Sequence, residues 1–195
     1  MSPGPLCRRS LIRMNEISEE KLLKECLAGN RQFQEMLYKK YCRKMAGICM
    51  RYARNREEAE DFLQDAFIKV FKNLHQFRSS GSLEGWIRRI VINTIMENLR
   101  KKSLMFKVVD LDEAAEEFHP EIPSGIAVHE LVELIQELSP GCRAVFNLFA
   151  IEGYTHKEIA AMLGIRVGTS KSHYFTARKI LREKITDLQK EISIR

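Results

Sequence analysis

Apolar residues recur along this chain with helical steps of one, three and four, and no stretch alternates as a strand would. The cleanest stripe lies in residues 57–75, where Phe62, Leu63, Ala66, Phe67, Val70, Phe71 and Leu74 share one broad face. The opposite face carries Asp61, Gln64, Asp65, Lys69 and Lys72. Before it, residues 16–29 predict a helix that Ser18 can cap, with Glu19 and Glu20 at its positive end and Gly29 to stop it. Residues 31–53 predict a second. After it, Ser79, Ser80, Gly81 and Ser82 mark a loop over 76–82. Trp86, Ile87, Ile90, Val91, Ile95 and Leu99 then predict a helix over 83–102. Periodicity lapses in 104–128, which contain Pro120, Pro123 and Gly125. It returns with Leu131, Leu134, Ile135 and Leu138, is interrupted at Ser139-Pro140, and resumes with Val145, Phe146, Leu148 and Phe149 as far as Gly153. A last segment runs from Thr155 to the C-terminus with a break at Gly164. The expected fold class is all-α: an N-terminal extension (1–15), a helical domain (16–103), a linker (104–129) and a second small helical domain (130–195).

Composition narrows the class. With 45% hydrophobic residues among 195, the chain is not disordered throughout, and 10 glycines and 5 prolines are few enough for long helices. No apolar run approaches the ~20 residues of a membrane span, and Leu11-Ile12 is too short for a signal-peptide core. A cytoplasmic protein is expected, with residues 1–13 a loose extension and Met14 an alternative start. The five cysteines include no CxxC pair and the five histidines no HExxH, so no disulfide framework, metal site or cofactor is expected. The net charge of +6 is uneven. Residues 104–130 hold seven acids against Lys107 alone. Basic residues gather in 87–102 (Arg88, Arg89, Arg100, Lys101, Lys102) and in 166–184 (Arg166, Lys171, Arg178, Lys179, Arg182, Lys184). Two basic segments joined by an acidic tether predict two nucleic-acid contacts.

The C-terminal segment THKEIAAMLGIRVGTSKSHYFTARKILR, residues 155–182, has the pattern of a helix-turn-helix. Thr155 and Glu158 make a capping box, Ala160 lets a second helix cross closely, and Gly164 supplies the positive φ of a short turn. The second helix, from about Gly168-Thr169, carries its bases outward and would enter a DNA major groove. The same spacing also fits an ordinary helical hairpin with a solvated basic face.

In the N-terminal half, Asp61, Gln64 and Asp65 stand at i, i+3, i+4 and form either a small docking patch or a solvated face. Phe62, Phe67 and Phe71 read as core. Asn93 interrupts an apolar run beside Arg88 and Arg89, where an amide either holds structure or bonds the edge of an exposed base. EDFLQDAFIKVFKNLHQF (60–77) and LEGWIRRIVINTIMENLRKK (83–102), followed by a linker and a helix-turn-helix, resemble the bacterial extracytoplasmic-function (ECF) RNA polymerase sigma factors over about 17–103 and 130–188. The resemblance implies that Asp61, Gln64 and Asp65 dock on the coiled coil of the polymerase clamp. It implies that Asn93 lines a pocket for a base flipped from the −10 element, loop 77–84 forming the other wall, while Arg88, Arg89, Arg100 and Lys101 hold phosphates. It further implies −35 recognition through Thr169, Lys171, Ser172, Phe175, Thr176, Arg178 and Lys179. Two positions depart from the pattern: Thr176 replaces an arginine, and Ser170 stands where an apolar residue packs inward.

The implied partners are core RNA polymerase, promoter DNA and an anti-sigma factor, with no direct membrane insertion. The implied function is promoter recognition, melting and transcription initiation, without catalysis by this chain. The alternative is a helix-turn-helix regulator with an unrelated sensor over 17–103. An enzyme such as a nuclease would need a metal-binding carboxylate cluster, whereas Glu57, Glu58, Glu60 and Asp61 read as a helix N-terminus.

Overall fold

The computed structural model describes residues 17–78, 81–101 and 128–193. The N-terminal extension, the acidic segment 104–127 and Ser79-Ser80 of the predicted loop lie outside them. Among the described residues there are eight α-helices and no strand. The N-terminal half contains α1 (Glu19–Leu27), α2 (Arg31–Tyr52), α3 (Arg56–Asn73), a 3₁₀ turn (Leu74–Gln76) and α4 (Leu83–Lys101). The C-terminal half contains α5 (Val128–Glu137), α6 (Pro140–Phe146), a π-helical turn (Asn147–Ile151), α7 (His156–Leu163) and α8 (Val167–Ser193). Helix α5 thus begins inside the segment read as linker, and α8 begins at Val167, just before Gly168.

Local chemistry sets these boundaries. Ser18, Asn30 and Asn55 each accept a hydrogen bond from a first-turn amide, of Lys21, Gln32 and Glu58 respectively. Thr155 and Glu158 form both halves of the expected capping box. Gly164 closes α7 at φ 69°, a left-handed conformation that would strain a residue with a Cβ.

The apolar faces meet as the periodicity predicts. Phe62, Ala66, Phe67, Val70 and Leu74 of the α3 side are buried against Leu37, Tyr41 and Met45 of α2 and Ile87, Val91, Ile95 and Leu99 of α4. Trp86 is only partly buried and lies 5.7 Å from Phe77, ring centre to ring centre. Ala144, Val145, Leu148, Ile159 and Leu163 belong to this same cluster, so the C-terminal half shares a core with the N-terminal half. A second cluster, with Leu134, Leu138, Cys142, Ala177 and Leu181, ties α5 and α6 to α8. Burial raises the thiol of Cys49 to about 12, which makes it a packing residue rather than a nucleophile.

Candidate nucleic-acid interface

Asp61, Gln64 and Asp65 are all exposed on α3, opposite the buried Phe62, Ala66 and Val70. With Glu58, Phe62 and Asn98 they line an open groove of about 260 Å³. Asn98 of α4 donates to Asp65 Oδ2 at 3.1 Å, which orients that carboxylate. One turn along, Lys69 pairs with Glu97 at 2.6 Å and ties the same two helices. Glu58 is buried at this edge and accepts from the Arg54 amide at 2.7 Å and from its guanidinium.

On α4, Arg88, Arg89, Asn93, Arg100 and Lys101 are exposed, each on a helix whose other face is core. Exposure of Asn93 between buried Ile92 and Thr94 leaves its amide free to meet a ligand. Arg88 is not free: its guanidinium bonds Glu152 Oε2, Nε at 2.7 Å and Nη2 at 2.5 Å.

The helix-turn-helix is held from within by polar and aromatic contacts. Ser170 is fully buried, and its hydroxyl lies 2.9 Å from His156 Nδ1. That bond is how a hydroxyl replaces an apolar side chain here without an orphaned polar group. His156 stacks on Phe149 at 4.2 Å, and Tyr174 meets both rings. Burial, then the charge of Lys171, lowers the His156 pKa; burial alone lowers that of His173. The imidazole of His156 is thereby favoured in its neutral form.

Of the predicted reading residues, Lys171, Phe175 and Lys179 are exposed at four-residue intervals along one face of α8. Thr169, Ser172, Thr176 and Arg178 are half-buried. The hydroxyls of Ser172 and Thr176 donate to the carbonyls of Gly168 and Ser172, at 3.1 and 2.9 Å. Each hydroxyl therefore offers lone pairs rather than a proton to an incoming base. Arg178 lies over the Tyr174 ring at 5.6 Å, which fixes the start of its side chain.

Residues 37–104 match the family model of Sigma-70 region 2 and residues 129–181 that of Sigma-70 region 4, together more than half of the chain. The chain belongs to the ECF-type RNA polymerase sigma factors. It is 26% identical over 191 residues to the RNA polymerase sigma-H factor of Pseudomonas aeruginosa, covering 91% of this chain and 99% of that protein. It is 25% identical to the ECF RNA polymerase sigma-E factor of Haemophilus influenzae over 89% of this chain and 98% of the relative. Among solved structures it is similar to RpoE of Bartonella quintana in complex with the anti-sigma factor NepR, at 21% identity and a TM-score of 0.47, covering 76% and 94% of the two chains. As a sigma factor it serves promoter recognition and transcription initiation.

The structure of this sigma factor also brings together residues that the sequence reading passed over. Gln136, Arg143, Asn147 and Glu152 of the C-terminal half converge on the C-terminal end of α2 and on Arg88. Gln136 Nε2 donates to the Met50 carbonyl at 2.8 Å and Asn147 Nδ2 to that of Arg51 at 2.9 Å. Arg143 Nη1 donates to the carbonyls of Tyr52 (3.4 Å) and Ala53 (2.8 Å). These are the carbonyls a helix leaves without an internal partner, and each is capped from the other half of the chain. The one signal in the sequence was the spacing of Arg143 and Asn147, two polar residues four apart inside an apolar run.

Proposed function

We propose that residues 16–103 bind core RNA polymerase and open the −10 element, and that residues 130–195 read the −35 element. In this reading Asp61, Gln64 and Asp65 grip the basic coiled coil of the polymerase clamp. The observation that supports it best is their placement: three polar side chains exposed around one groove, one of them braced by Asn98, with core directly behind. Arg88, Arg89, Arg100 and Lys101 hold phosphates, which positions the strand without reading it. The exposed Asn93 then bonds the edge of one extruded base. Unstacking costs a few kcal/mol per step, and a pocket for the flipped base recovers part of that.

At −35, α8 lies in the major groove. Lys171 donates to guanine O6 and N7, and Phe175 packs on a thymine methyl. Ser172 accepts from a base amino group, and Thr169, Arg178 and Lys179 contact the backbone. Thr176, short and bonded to its own helix, discriminates weakly at its base pair. The chain performs no chemistry of its own; polymerase does the phosphoryl transfer. Its setting is the cytoplasm, where promoter DNA is. No helix among the described residues is long and apolar enough to cross a membrane. A sequestering anti-sigma factor is a partner this reading accommodates.

The test is open-complex formation. With core polymerase, Asn93→Ala should retain −35 recognition and lose permanganate reactivity of thymines around the start site. Unchanged reactivity in the folded variant would remove Asn93 from melting.

A further inference from the structure

Glu152 has no part in the roles above, yet both oxygens of its carboxylate are engaged from the other half of the chain. Its side chain is 2% exposed. Both oxygens are taken by guanidinium groups of the N-terminal half: Oε1 by Arg51 Nη2 at 2.8 Å, Oε2 by Arg88. Arg51 lies at the end of α2 and Arg88 on the basic face of α4, so two helices converge on one anion. Arg51 Nε is buried without a partner, so the carboxylate leaves a donor of this cationic notch unused. Two arginine forks around one small anion are the arrangement that also suits a phosphate.

We propose that Arg51 and Arg88 form a clamp for a backbone phosphate of promoter DNA, and that Glu152 occupies it as an internal stand-in while the two halves of the chain are docked. The proposal rests on the sigma-factor reading above and adds to it a phosphate site and a contact that masks it.

Three further features hold Glu152 in place. The π-helical turn ends in a bond from the Glu152 amide to the Asn147 carbonyl at 2.9 Å, and this extra residue per turn sets the direction of Glu152. Gly153, at φ 79°, then reverses the chain. The caps from Gln136, Arg143 and Asn147 fix the same segment to α2. Reach requires this contact to open. The −10 and −35 elements lie about 25 base pairs apart, hence ~85 Å at ~3.4 Å per pair. In the docked chain the turn of the helix-turn-helix touches α4: a Cβ placed on Gly164 would stand 3.8 Å from Arg100 Cδ. Docked halves cannot bind both elements, so Glu152 must leave the two arginines whenever both are engaged.

Fluorescence anisotropy of the full-length chain, without polymerase, on a labelled mixed-sequence single strand of about 12 nucleotides tests this directly. Glu152→Gln keeps the shape and removes the charge; it should bind about fivefold tighter or more. Adding Arg51→Gln should cancel that gain and lower the slope of log K against log salt by ~0.7. Gln136→Ala removes the bond to the Met50 carbonyl without touching Arg51, Arg88 or Glu152, loosens the docked contact and should also tighten binding. Circular dichroism confirms that each variant is folded. Unchanged affinity in both Glu152→Gln and Gln136→Ala overturns the proposal. So does a gain that Arg51→Gln fails to cancel, since the gain would then owe nothing to the clamp. The parent is scored separately for promoter-dependent transcription with core polymerase. If it transcribes while Glu152→Gln binds no tighter, only the clamp is wrong; if it gives no such transcript, the sigma reading and the clamp fall together.

Discussion

Arg143→Met should destabilise this protein more than any surface change, although Arg143 has no direct carboxylate partner among its described bonds. Arg143 is 4% exposed, and its guanidinium donates to four backbone carbonyls. Those of Ala53 and Leu138 lie at 2.8 and 2.9 Å, that of Gln136 is also close, and that of Tyr52 is marginal at 3.4 Å. Burial lowers the pKa of Arg143, the mark of a cation that is costly to desolvate. Methionine fills the stem and removes that cost, which favours the variant. Against it, each buried carbonyl left unpaired costs ~1–3 kcal/mol. With three well-formed bonds lost and the desolvation regained, the net loss should be ~2–5 kcal/mol. For a chain of this size each kcal/mol moves the melting midpoint ~2–4 °C, so a drop of ~10 °C is expected. Arg143→Lys keeps the charge but not the fork and should fall between. Urea and thermal unfolding followed by helical circular dichroism measure both. A methionine variant within ~0.5 kcal/mol of the parent, the range of ordinary surface substitutions, would show that these carbonyls do not depend on Arg143.

Two other outcomes are expected. Lys171→Ala should relax preference at one base pair of a randomised −35 library by about 1–3 kcal/mol, whereas Lys179→Ala should weaken all sequences alike and flatten the salt dependence; equal, sequence-independent losses would mean that α8 does not read bases this way. Asp65→Arg should weaken binding to core polymerase without unfolding the domain, and undiminished binding would remove the α3 patch from docking.

The helices were legible in the sequence because their causes are local. The stripe from Phe62 to Leu74, the caps at Ser18 and Thr155 and the turn at Gly164 are each written within a few residues, and each stands where the pattern puts it. The exposure of Asp61, Gln64 and Asp65 followed from the same periodicity, whereas Asn93, which interrupts an apolar run, was settled as exposed only by the fold. Contact between the halves was not legible. Gln136, Arg143 and Asn147 bond backbone carbonyls some ninety residues earlier, and a carbonyl has no letter of its own. Glu152 belongs to no pattern in the sequence; only the fold brings Arg51 and Arg88 to it. Ser170 read as a departure from an apolar position, and its match, His156, lies fourteen residues back on another helix.

That this chain acts through core RNA polymerase can be read from size-exclusion chromatography of the full-length protein with core enzyme, followed by promoter binding of the eluted complex. The chain should co-elute with core in a stoichiometric complex that binds and opens promoter duplex, while the chain alone binds that duplex weakly. Tight, sequence-specific binding of the duplex by the chain alone, with no co-elution with core, would contradict the account and identify a helix-turn-helix regulator instead.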